Sequence, residues 1–177
     1  MKLERQKRKV IAKQLPTPMS ITCGKENPSS LGCRFYELKG GEVGTVFVPQ
    51  NLHEGHNGIM HGGMSAAVLD ELMGRATLHT EFDGGNDWLP TYVTAEMTVK
   101  YRKPIIVGHT MYGYGRVDRS EGSRCFSSSV IVDESGEIMA EAGGVYVHVD
   151  LPGDEKPGFK EIDSTRATLT DSDPKEL

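Results

Sequence analysis

From Thr91 onward the apolar positions of this chain recur at every second residue. Val93, Ala95, Met97, Val99 and Tyr101 alternate with Thr94, Glu96, Thr98 and Lys100. Successive side chains of a strand point to opposite faces, so this pattern predicts a half-buried strand, which Pro104 stops. Three more strands are expected at His109–Asp118, Arg124–Asp133 and Glu137–Val149, with Asp133-Glu134-Ser135-Gly136 as a tight turn between the last two. Upstream, Gly32–Leu38 and Val43–Val48 read as a strand pair joined by a turn at Lys39–Glu42 and closed by Pro49. Between the two sets lies a stretch from Gly63 to about His79 that is apolar on nearly every side. Its length of about 17 residues makes a helix of about 25 Å. The flanking segments Gln50–Met60 and Glu81–Pro90 read as loops.

Two strands, one long helix and four strands with short connections predict an α+β domain. An antiparallel sheet of about six strands would take that helix as its core. The helix's small residues (Gly63, Ser65, Ala66, Ala67, Gly74 and Ala76) would let the sheet curl closely around it. The open sheet edges invite pairing with a second copy. Composition adds the ends: residues 1–19 read as a basic helix or arm, 20–150 as the folded domain, and 151–177 as an acidic, mobile tail.

The chain has 177 residues, enough for one domain with a sizeable core, and its net charge of −5 argues against nucleic acid as the main partner. No apolar run approaches the roughly 20 residues a membrane span needs. Three unpatterned cysteines, Cys23, Cys33 and Cys125, point to reduced thiols and a cytoplasmic location.

The chemistry concentrates in Asn57-Gly58-Ile59-Met60-His61-Gly62-Gly63-Met64, which leads into the helix, and in Asp70-Glu71 about two turns further on. The first N–H groups of a helix lack internal partners and suit an oxyanion. A carboxylate in an apolar helix is costly unless it has a partner or a task. Glu71 lies about 100° around the helix from Asp70, so the two acids cannot face one point. On this pattern Asp70 reads equally as a working acid or as a buried acid paired with a neighbour, and Glu71 as a structural or rim partner. His53, His56 and His61 do not share a helix face, and no metal site is expected.

These residues resemble the hotdog-fold acyl-CoA thioesterases, in their phenylacetate-degradation branch. The resemblance is carried by His61-Gly62-Gly63 with Asp70, by Cys23-Gly24-Lys25-Glu26-Asn27-Pro28, and by Thr94-Ala95-Glu96 running on to Arg102-Lys103-Pro104, and it covers roughly residues 20–149. It implies a helix wrapped by a curved antiparallel sheet, pairing into a homodimer or a dimer of dimers, with active sites at the dimer interface. It implies hydrolysis of an acyl-CoA thioester without metal or organic cofactor. Gly62 would donate its N–H to the thioester carbonyl, flanked by His61, with Gly63 beside it on the substrate. Asp70 of the partner chain would act as general base or nucleophile. Thr94 falls where relatives hold the attacking water. Arg102 and Lys103 would meet the phosphates of coenzyme A. Many relatives carry Asn or Gln six residues before the His; here that position is Gly55, with His56 and Asn57 as neighbouring substitutes. Met60, Met64, Leu72 and Met73 are expected along the acyl channel. A hydratase or dehydratase of the same fold, and a non-catalytic acyl-CoA binder, are the alternatives.

Overall fold

The strands expected from the period-two pattern join into one antiparallel sheet. The computed structural model describes residues 7–78, 91–149 and 166–177. The expected loop Glu81–Pro90, the expected helix end at about His79, residues 1–6 of the basic arm, residue 150 and residues 151–165 of the acidic tail lie outside these. Among the described residues the elements are β1 (Val10–Gln14), β2 (Arg34–Leu38), β3 (Glu42–Phe47), the short hairpin β4 (Glu54–His56) and β5 (Ile59–Met60), α1 (Gly62–Ala76), β6 (Thr91–Tyr101), β7 (Met111–Glu121), β8 (Arg124–Asp133), β9 (Ile138–Val149) and β10 (Arg166–Ala167). The main sheet runs β10-β1-β2-β3-β7-β8-β9-β6. The six expected strands are present, and β1 and the two-residue β10 extend the sheet at one edge. This is the hotdog arrangement that the resemblance implies.

Helix α1 is less uniformly buried than its composition suggests. Ser65, Val68, Leu69, Leu72, Met73 and Ala76 form a buried stripe at three- and four-residue spacing, the repeat of one helix face. Full burial of Val68, Leu69 and Leu72 contributes about 1.5–3 kcal/mol each to holding helix against sheet. The closest approach comes from the sheet's glycines rather than the helix's small residues. A Cβ at Gly115 would lie 2.6 Å from the Leu72 carbonyl oxygen, and one at Gly113 would lie 2.6 Å from Leu72 Cδ1. Leu72 is wholly buried in this contact, and Met73 is wholly buried with its Cε 3.3 Å from where a Gly144 Cβ would stand. They fill the core, and the expectation that they line an acyl channel is corrected. The helix ends at Ala76, short of His79, where the Thr77 hydroxyl donates to the Gly74 carbonyl at 2.6 Å.

The expected turn at 133–136 forms as read. Asp133 Oδ1 accepts from the backbone N–H groups of Ser135 and Glu137, and Gly136 takes the positive φ of 79° that closes the turn. Strand β6 departs from strict alternation. Thr94 pairs with Tyr146 and Glu96 with Val145, which leaves Ala95 as a bulge. The extra residue flips the faces. Tyr92 and Thr94 point toward α1 before it, and Met97, Val99 and Tyr101 do so after it. Val93 is left 42% exposed on the other side, contrary to the alternation read from sequence.

Residues 168–177 cover the face of the sheet away from α1, where Val10 of β1 meets them, while Gln14 at the other end of β1 reaches Arg75 of α1. Where the sequence suggested a helix or arm, β1 is a strand, because Val10 and Gln14 find buried places beside β2. The tail's last residues are likewise docked rather than free. Arg8 N–H donates to the Leu177 carbonyl at 2.7 Å, and Leu177 joins a buried cluster with Val10, Tyr36, Leu38 and Tyr114. Asp173 is the polar anchor. It accepts from Lys13 Nζ at 2.6 Å, from the Tyr36 hydroxyl at 3.0 Å and from the Thr170 N–H at 2.9 Å. The Lys13 ammonium, foremost among these donors, holds the Asp173 carboxyl well below the ordinary carboxylate range, while burial and this carboxylate push the Tyr36 phenol up to about 12.

A carboxyl held below its unfolded value stabilises docking fully above its ordinary value of about 4, and the contribution fades as acid protonates it. Tail docking should therefore weaken in acid, and again in strong alkali, where the Tyr36 phenol, raised to about 12, loses the proton it donates to Asp173. Asp173→Asn should raise amide exchange at Arg8, Val10 and Leu177 by about tenfold or more at neutral pH. Equal exchange in variant and wild type would contradict the anchor.

Candidate functional site

The chain enters α1 through the β4–β5 hairpin, whose tip is Asn57-Gly58, with Gly58 at φ 71°. Asn57 is exposed at that tip. Gly55 lies directly against the turn before the helix: a Cβ there would sit 2.7 Å from His61 Cδ2 and 2.8 Å from His61 Cα. A side chain here would collide with the His61 backbone, so Gly55 itself offers no group to a substrate or water. His53, buried beneath the hairpin, accepts the Gln50 N–H at Nδ1 and faces the Ser29 carbonyl with Nε2 at 3.2 Å. Its ring is structural. Among the described residues no group of three His, Cys, Asp or Glu could hold a metal ion.

His61 is the N-cap of α1, and its Nδ1 accepts the Gly63 N–H at 2.9 Å. That bond spends Gly63's donor on the cap. The Met64 and Ser65 N–H groups both donate to the His61 carbonyl. The Gly62 N–H has no acceptor among the described residues, and it stands at the positive end of the helix dipole. Tyr101 lies over it: its hydroxyl donates to the Gly62 carbonyl at 3.0 Å, and its ring is 3.4 Å from where a Gly62 Cβ would be. A cleft of about 280 Å³ opens here, lined among others by Met60, Gly62, Ser65, Tyr101, Arg102 and Lys103. Met64 packs against the core cluster. Arg102 is held by Glu141 at 2.5 Å and Lys103 by Glu137 at 2.7 Å. A phosphate at either cation would have to compete with a carboxylate already in place.

Asp70 stands eight residues further along the same helix, about 12 Å up its axis. Its Oδ1 accepts from the Thr94 hydroxyl at 2.8 Å and from the Tyr146 hydroxyl at 2.6 Å. The Tyr146 hydroxyl also lies 2.9 Å from the Asp70 carbonyl oxygen. The β6 bulge brings Thr94 to this face; without the extra residue its side chain would point away. Tyr146 is 2% exposed, and burial, followed by the hydrogen bond to the Asp70 carboxylate, pushes its phenol well above the ordinary range. The phenol therefore stays a donor through the neutral range.

Glu71 turns away from this arrangement. Arg75 Nε donates to it at 2.7 Å, and Arg75 also donates to the Leu15 carbonyl and to Cys23 Sγ while stacking 4.5 Å over the Phe35 ring.

The sequence-predicted residues thus fall into two groups. His61, Gly62, Gly63, Met60, Arg102 and Lys103 gather at the helix start; Asp70 and Thr94 gather two turns on. Asn57 sits at the hairpin tip. Sequence reasoning missed Tyr146 and the covering role of Tyr101. The signal for Tyr146 was available: the positions of β9 that face α1 read Ala140, Ala142, Gly144 and Tyr146, one large polar ring following three small residues.

Comparison with known proteins agrees with this architecture. A sequence profile described as the thioesterase superfamily matches residues 57–140. A curated relative, acyl-coenzyme A thioesterase THEM4 of Xenopus laevis, is 28% identical over 116 residues, covering 65% of this chain and 49% of the relative. The chain thus spans about half the length of that relative. A solved structure of a thioesterase superfamily protein superposes with a TM-score of 0.64 at 22% identity, over 73% of this chain and 60% of that one. The PaaI protein of the E. coli phenylacetic acid degradation operon does so with a TM-score of 0.59 at 16% identity, over 71% and 87%. At these identities the solved structures speak for the fold.

Proposed function

Starting from a hotdog-fold chain whose residues 57–140 match the thioesterase superfamily, we propose that this protein hydrolyses an acyl-CoA thioester to a free acid and coenzyme A. The observation that carries the reading is an unpartnered N–H at the start of α1 together with a hydroxyl-held carboxylate two turns along it. An N–H aimed at a carbonyl oxygen stabilises the charge that gathers there as a nucleophile adds. A carboxylate within hydrogen-bond reach of a water takes its proton as that water attacks.

In the proposed reaction the water oxygen bonds to the thioester carbon, and its proton passes to Asp70. The carbonyl oxygen becomes an oxyanion at the Gly62 N–H. When the oxyanion collapses, the C–S bond breaks and the sulfur leaves with the electron pair. The proton held by Asp70 goes to that thiolate, which restores the carboxylate.

Both groups must lie within about 3 Å of atoms of one carbonyl, whereas Gly62 and Asp70 of one chain are about 12 Å apart along the helix. One chain is therefore half of a site in this reading, and a second copy supplies Asp70. Strand β6 is the edge across which that copy would pair: it ends the sheet and exposes Val93 and Tyr101. Met60 and the Tyr101 ring would meet the acyl end near Gly62. The three cysteines are buried and unbridged, which fits a reducing cytoplasm.

The purified protein incubated with short-, medium- and aromatic-acyl-CoAs and a thiol-reactive dye should release free thiol from at least one class. Tight acyl-CoA binding without thiol release would favour a carrier. A change of acyl unsaturation without thiol release would favour a hydratase.

A further inference from the structure

The hydrogen bonds at Asp70 are asymmetric. The Thr94 and Tyr146 hydroxyls both end on Oδ1, at 2.8 and 2.6 Å. Among the described residues Oδ2 has no hydrogen-bond partner. The two donors come from neighbouring strands, since Thr94 and Tyr146 are directly paired across β6 and β9. The Tyr146 hydroxyl also lies against the Asp70 backbone carbonyl at 2.9 Å, so one phenol references the carboxylate to its own helix turn. The ring cannot easily shift: it is 2% exposed, and it packs 3.4 Å from where Cβ atoms would stand on Gly74 and Gly144.

From this geometry we infer that Tyr146 is a positioning residue for the reaction proposed above. Together with Thr94 it pins Oδ1 and presents Oδ2 as the one oxygen that takes the proton from water. A carboxylate turns about its Cβ–Cγ bond, and a free one presents either oxygen in a range of directions. Two donors on one oxygen remove that freedom, which is the orientational part of catalysis. The Thr94 oxygen, whose proton is spent on Oδ1, keeps lone pairs to accept from the same water. Tyr146 touches no substrate in this arrangement and acts only through Asp70. The inference rests on the hydrolase reading for its kinetic consequence, but the asymmetry it explains stands on geometry alone.

Tyr146→Phe removes the hydroxyl and keeps the ring. It should lower kcat by about ten- to a hundredfold while leaving KM within about twofold, because the loss lies in orientation rather than binding. Combined with Asp70→Asn, it should add nothing to the loss caused by Asp70→Asn alone. A merely structural tyrosine would add its full loss in either background. Thr94→Val should resemble Tyr146→Phe, and Thr94→Ser, which keeps the donor, should stay within about threefold of wild type. A crystal structure of Tyr146→Phe should show the Asp70 carboxylate turned from its wild-type direction or split between two.

An unchanged kcat in Tyr146→Phe would overturn the inference, as would an equal further loss in the Asp70→Asn background. An unmoved Asp70 carboxylate in the variant crystal would overturn it whether or not the protein proves to be a hydrolase. Absence of thiol release from the wild type would overturn the hydrolase reading alone. If Tyr146→Phe fails to fold, Thr94→Val carries the same kinetic and crystallographic tests of how Oδ1 is held.

Discussion

Asp70→Asn is expected to reduce kcat for thiol release by about a hundred- to ten-thousandfold, the range over which a positioned base contributes. The substitution is close to isosteric. An amide oxygen at Oδ1 still accepts from Thr94 and Tyr146, and an NH₂ group replaces the oxygen that would take the proton. Fold and acyl-CoA binding should survive, so the loss should appear in kcat with KM little changed. Glu71→Gln should behave in the opposite way. Glu71 serves Arg75, which is only 8% exposed and whose other bonds tie α1 to the segment around Leu15 and Cys23. Weakening that pair should cost about 1–3 kcal/mol of stability and lower Tm by several degrees while sparing most activity. Steady-state kinetics beside thermal unfolding separates the two. If Glu71→Gln were the dead variant and Asp70→Asn the unstable one, the site would be one residue further along the helix.

Gly62→Pro offers the other large effect, because it deletes a single backbone N–H. Gly62 is the first residue of α1, where proline is well tolerated, since no intrahelical bond uses that N–H. The preceding His61 already has φ −59° and ψ 133°, the extended conformation a following proline requires. The atoms nearest a Cβ at Gly62 belong to Tyr101, the first at 3.4 Å, an ordinary contact. The variant should fold, and it should lose about 10²–10³ in kcat, the cost of removing one oxyanion donor. It also tests how the site is shared. If Gly62 of one chain works with Asp70 of another, an equal mixture of Gly62→Pro and Asp70→Asn chains, unfolded and refolded together, regains about a quarter of wild-type activity. Half of the dimers are then mixed, and each has one of its two sites intact. If both groups acted within one chain, no mixture would recover activity, and the shared-site reading would be abandoned.

Much of this was legible along the chain. The strand limits at Arg124–Asp133, the turn at Asp133–Gly136 and the long helix follow from periodicity and from Asp, Gly and Pro chemistry, which act over a few residues. Asp70 and Glu71 stood out because a carboxylate in an apolar helix is expensive; neighbours on a helix diverge by about 100°, so only one could face the site, and the resemblance carried by His61-Gly62-Gly63 with Asp70 chose which. The pattern failed where the fold inserts one residue. Nothing local marks Ala95 as a bulge, so strict alternation sent Thr94 outward and Val93 inward; the pairing of β6 with β9 reverses both. The end segments misled for a related reason. Basic and acidic composition reads as solvated chain, but β1 and residues 168–177 gain burial and hydrogen bonds from each other across more than 150 residues of sequence, as in the Lys13–Asp173 pair.

The sequence by itself determined six strands of the sheet, the helix and its glycine-bearing start, and marked Asp70 as a candidate acid, because each depends on chemistry within one or two turns of chain. Only the tertiary structure decided which oxygen of Asp70 is held, that Tyr146 and Thr94 hold it, and why position 55 admits no side chain. These depend on contacts between segments far apart in sequence, whose geometry is set by strand register and by the close packing of α1 against β7 and β9.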